Sequence, residues 1–131
     1  MTLAQHLDTV DLLRARAFAA DGYHLAELAL ADPRGGRAEV EREALALLLA
    51  DRWGPPDHIG LFGLLHRYGA GEAIPRPWDL LCTSLPDVQL WWVDGRWIVL
   101  GTRGDDGASE EDRAAGAAVR LLVCVTEVDP P

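Results

Sequence analysis

The fourteen residues DVQLWWVDGRWIVL, 87–100, constrain this chain more than any other stretch. Two runs rich in β-branched and aromatic residues flank Asp94-Gly95, a dipeptide suited to the two positive φ angles of a type I′ turn, so the stretch predicts a tight hairpin. A two-residue turn fixes the register. Val93 faces Arg96, Trp92 faces Trp97, Trp91 faces Ile98, Leu90 faces Val99 and Gln89 faces Leu100. Side chains alternate along a strand. One face of the hairpin therefore carries Val88, Leu90, Trp92, Trp97 and Val99, and the other carries Gln89, Trp91, Val93, Arg96, Ile98 and Leu100. The first face is wholly apolar and predicts a buried cross-strand pair of Trp92 and Trp97. The second is mixed. Either residues 75–85 cover it, or Trp91 beside Gln89 and Arg96 forms a contact surface, since Trp and Arg are enriched at binding hot spots.

Elements on either side of the hairpin give it something to pack against. Residues 2–20 place Leu3, Leu7, Val10, Leu13, Ala17 and Phe18 near helical spacing, with Asp21-Gly22 as a stop. Residues 23–31 read as a strand on the alternation of Tyr23, Leu25, Ala29 and Ala31, although their Ala, Leu and Glu content favours helix; a turn at Pro33 and Gly35-Gly36 follows. AEVEREALALLLADRW, 38–53, is the clearest helix. Val40, Ala44, Leu47, Leu48 and Trp53 are expected to face inwards, and acidic residues near its start suit the helix dipole. HIGLFGLLHRY, 58–68, reads as a strand interrupted by Gly60 and Gly63. WDLLCTSLPD, 78–87, suits a short helix or turn with Pro77 at its start. VRLLVCVTEV, 119–128, is a last strand, preceded by an acidic loop over residues 104–116.

Helices come early and strands late, which predicts an α+β fold: one domain over residues 1–131, an antiparallel sheet of four to five strands, and two main helices packed on one face. The length supports a core without staples. Cys82 and Cys124 each lie in apolar surroundings and outside any Cys-x-x-Cys pair, so both are expected to be buried free thiols. No apolar run approaches the roughly 20 residues that span a bilayer, and Asp8 and Asp11 interrupt the start of the chain where a signal peptide would be apolar, so a cytoplasmic location is expected. A formal net charge of −9 disfavours binding to a phosphate backbone.

Catalytic signatures are weak. The four histidines form no His-x-x-x-His or Glu-x-x-His pair and none has a nearby cysteine, so neither a metal nor a cofactor is expected. No nucleophile elbow surrounds Ser84. GAGEA, 69–73, lacks the strand and helix context of a phosphate loop. Two functional expectations remain. The first is a non-catalytic protein-interaction module (an adaptor, regulator or neutralising partner) that binds another protein, or a second copy of itself, through Trp91, Arg96, Gln89 and Ile98. The second is a small-molecule binder or small enzyme whose pocket lies between sheet and helices, with His58, His66, Asp57 and, as a further candidate, Arg96 as its polar groups.

Overall fold

The computed structural model describes residues 3–18, 22–28, 38–103 and 120–131. Helix α1 (Leu3–Ala15) leads to strand β1 (Tyr23–Leu28), then to α2 (Ala38–Trp53) and β2 (Asp57–Gly60). Two short helices, α3 (Phe62–Gly69) and α4 (Trp78–Ser84), precede β3 (Asp87–Val93), β4 (Arg96–Arg103) and β5 (Arg120–Thr126). The five strands form one antiparallel sheet in the order β1-β5-β4-β3-β2, so the architecture is α+β. The turn at Pro33 and Gly35-Gly36, positions Ala29 and Ala31, and the acidic loop over 104–116 lie outside the described residues.

The hairpin forms in the register that its turn dictates. Asp94 and Gly95 both take positive φ, 52° and 78°, and Trp92 pairs with Trp97, Trp91 with Ile98 and Gln89 with Leu100. Alternation then divides the sheet into two apolar faces. Trp91, Ile98 and Leu100 join Leu121, Val123 and Val125 of β5 beneath α1 and α2, which contribute Val10, Leu13, Leu45 and Leu49. On the opposite face Val88, Leu90, Val99 and Cys124 pack under α3 and α4, against Leu61, Leu64, Trp78, Leu81 and Leu85. The two long helices thus share one face and the two short ones cover the other. Residues 75–85 do cover part of the sheet, but on the face opposite Trp91.

Gly101 makes the α4 side possible. A Cβ there would stand 2.9 Å from Leu85 Cδ1 and 3.2 Å from the Asp87 carbonyl oxygen, so a larger residue would make Leu85 and the α4 to β3 corner shift away from β4.

Two elements differ from the sequence expectation. Residues 58–68 are not one strand: only Asp57–Gly60 pair in the sheet, and α3 follows at once. Leu61 and Leu64, three apart, are both buried; this helical spacing outweighs the strand pattern that the two glycines interrupt. In α2 the inward residues are Leu45, Ala46 and Leu49, while Val40, Leu47 and Leu48 are exposed. Residues 44–50 are apolar all round, so periodicity locates the helix without choosing its face.

Both cysteines are free and buried. Burial pushes the Cys124 thiol up to about 12 from an ordinary 9.0, because a thiolate would lose its hydration there. The Cys82 thiol is also raised, by burial first and by the Asp79 charge second. In the window between 9.0 and about 12 the folded chain keeps the Cys124 proton that the unfolded chain releases. Stability therefore falls as pH rises, by about 1.4 kcal/mol per pH unit inside that window. Urea denaturation at pH 8 and pH 10 is expected to show a larger alkaline loss in the wild type than in Cys124→Ala. An equal loss in both would contradict the assignment.

Candidate functional site

The residues of the mixed hairpin face tie the sheet to its helices. Trp91 is 3% exposed, and its Nε1 donates to the Gly54 carbonyl, just past the end of α2, at 3.0 Å. Its ring meets Trp53 edge-on, with centroids 6.2 Å apart. The Arg14 guanidinium lies 4.9 Å over the Trp53 ring. Ile98 is fully buried beneath the same helices. Gln89 accepts a hydrogen bond from Arg42 of α2. Arg96 donates to the carbonyls of Arg14 and Arg16, at 2.8 and 2.7 Å, and stacks 4.1 Å over Phe18. A cation at these last carbonyls of α1 satisfies acceptors that the helix leaves open. Trp91 and Ile98 are therefore not a contact surface, and Arg96 and Gln89 are engaged in holding α1 and α2. Arg96→Ala is expected to lower unfolding free energy by about 1–3 kcal/mol through the lost charged hydrogen bonds. The check is a urea titration, and no loss of stability would refute the capping role.

The histidine and aspartate set is dispersed. His58 is exposed and lies opposite Gln89 on the α1–α2 side of the sheet; its Nε2 is 2.8 Å from Asp87 Oδ2. Asp57 alternates to the other face, opposite Leu90, and His66 is exposed on α3. These three groups do not line one pocket between sheet and helices. The carboxylate beside His58 is Asp87, brought there diagonally by the β2–β3 register rather than by sequence adjacency. Such a pair can orient an imidazole, although here both partners are open to water. His6 is fully buried between α1 and α2, its Nε2 3.6 Å from Glu41 Oε1, and so is closed to a substrate. No group of three or more potential metal ligands occurs among the described residues, and no described helix is long and apolar enough to cross a membrane.

Exposed aromatic surface gathers instead at the turn end of the opposite face. Trp92 is 54% exposed. Its ring lies 5.0 Å from that of half-buried Trp97, at 59°, and the Trp97 Nε1 donates to Asp129 Oδ1 at 2.9 Å. The expected Trp92–Trp97 pair is present, but Trp92 is not core. Trp92 is left out of the apolar cluster under α3 and α4, against which Trp97 packs in part. No family model, no curated protein and no solved structure matches this chain.

Several hydrogen bonds tie down the support behind Trp92. Trp97 belongs to a central strand, and Asp129 belongs to the segment after β5. That segment is pinned by Trp78, whose Nε1 donates to the Val128 carbonyl at 2.8 Å, and by Thr126, whose Oγ1 accepts from the Val128 N–H at 3.1 Å. A second exposed apolar stripe, Phe62, Leu65 and Tyr68, runs along α3, with Phe62 79% exposed. Sequence reasoning named Trp92 only as half of a buried pair and did not name Asp129; alternation places Trp92 on the α3–α4 face but does not show how far those helices cover it.

Proposed function

We propose that this chain is a non-catalytic protein-interaction module that binds its partner through the Trp92 surface. The observation that carries this reading is a large indole more than half exposed yet held against a second tryptophan that is itself hydrogen-bonded. Tryptophans in such settings dominate interface energetics, because a rigid ring offers much contact area with little ordering cost. The dispersal of His58, His66 and Asp57 supports a binding role over a catalytic pocket. The net charge of −9 favours fast encounter with partners of opposite charge.

The test is affinity capture from cells with three proteins of equal fold by circular dichroism: wild type, Trp92→Ala, and Leu47→Ala as a control at another exposed apolar position. The captured protein is then purified and titrated by calorimetry. A partner held by wild type and Leu47→Ala, and weakened at least about tenfold by Trp92→Ala, is the expected result for a hot-spot residue. A partner that binds wild type and Trp92→Ala equally would overturn the assignment of the surface.

A further inference from the structure

Resting on that reading, we infer that the Trp92 surface recognises a basic segment of its partner, with an arginine or lysine side chain seated on the Trp92 ring beside Asp129. Three observations converge. Trp92 presents an exposed ring, and the face of an indole attracts a cation through its quadrupole. The ring is 5.0 Å from Trp97, whose indole N–H is capped by the exposed carboxylate of Asp129. That places a negative charge one ring away from the platform, with Oδ1 engaged by the indole and Oδ2 able to accept from a guanidinium or ammonium group. Glu127, two residues before Asp129, adds a second exposed acidic side chain to the segment after β5.

Arginine suits the arrangement best. Its planar guanidinium stacks on an aromatic face and forks towards a carboxylate, whereas an ammonium group engages as a point charge. The chain itself has no lysine, and the hairpin-turn arginine, Arg96, is held on the opposite face by the carbonyls of Arg14 and Arg16.

The experiment is a fluorescence-anisotropy titration of the full chain with a fluorescein-labelled Gly-Arg-Gly-Arg-Gly peptide and with its citrulline counterpart, which keeps the shape and removes the charge. Wild type is expected to bind the arginine peptide about tenfold more tightly than the citrulline peptide. Trp92→Ala should weaken it about tenfold and Asp129→Asn about threefold. Glu43→Gln, which removes one exposed acidic charge from α2 on the far side of the sheet, should leave it within about twofold. Equal binding of the two peptides would overturn the inference, as would equal effects of Trp92→Ala and Glu43→Gln, since binding would then report only general acidity. The capture experiment separates the two claims: a partner lost by Trp92→Ala alongside failed peptide binding sinks the basic-segment inference alone, whereas a partner that binds wild type and Trp92→Ala equally, alongside failed peptide binding, sinks the interaction surface as well.

Discussion

Trp91→Ala is expected to cost about 3–5 kcal/mol of unfolding free energy, whereas Trp92→Ala, one residue along the same strand, is expected to cost about 1 kcal/mol. The contrast follows from alternation. Trp91 fills the space under α1 and α2 and holds the end of α2 through its bond to the Gly54 carbonyl. Removing it leaves a cavity beside Trp53 and an acceptor without its donor. Trp92 loses only its contact with Trp97 and the partial burial of its own ring. Urea denaturation at neutral pH reads both values, and comparable losses in the two variants would contradict the assignment of faces. The same pair separates folding from binding: Trp91→Ala should act on stability, and Trp92→Ala on partner affinity.

The second large effect is expected at Trp78. Its side chain is fully buried among Leu61, Leu64, Leu81 and Val99, so Trp78→Ala should lower stability by about 3–5 kcal/mol. Trp78→Phe is the more informative variant. It keeps most of the apolar contact but removes the donor to the Val128 carbonyl, for a cost of about 1–2 kcal/mol. Val128 then keeps only its N–H bond to Thr126, and Asp129 loses one of the two anchors that align it with Trp97. Trp78→Phe is therefore expected to weaken arginine-peptide binding about as much as Asp129→Asn, although Trp78 itself is buried. A fully folded Trp78→Phe protein with unchanged peptide affinity would show that Asp129 does not depend on this anchor.

Local chemistry made much of the fold legible. Asp94-Gly95 specified a turn whose geometry admits one register, and the ladder from Gln89 to Leu100 follows it. The limits of α2 agree with the sequence pattern, and the apolar settings of Cys82 and Cys124 foretold their burial. What the sequence could not show was which apolar surface goes uncovered. Both faces of β4 and β5 are apolar, and both are buried. The wholly apolar hairpin face looked like core, and for the mixed face cover and contact were equally compatible with the pattern. In the structure the polar members of the mixed face, Arg96 and Gln89, are spent on α1 and α2, and Trp92 stands outside the apolar cluster under α3 and α4. Such an outcome depends on long-range packing, because it turns on how far two short helices reach across the sheet. Residues 58–68 misled for a related reason, since the strand-like alternation around Ile59 runs directly into the helical spacing of Leu61 and Leu64.

The hairpin presents Trp92 and not Trp91 to solvent, and indole N–H spectroscopy tests this directly. In a ¹⁵N correlation spectrum of the full chain, the five indole resonances are assigned by single Trp→Phe variants, and a soluble gadolinium chelate is then titrated in. The Trp92 signal is expected to broaden first and the Trp91 and Trp78 signals last, with Trp91 and Trp78 also exchanging slowest with deuterium. Broadening of Trp91 ahead of Trp92 would place the opposite face of the hairpin in solvent and contradict both the packing and the proposed binding surface.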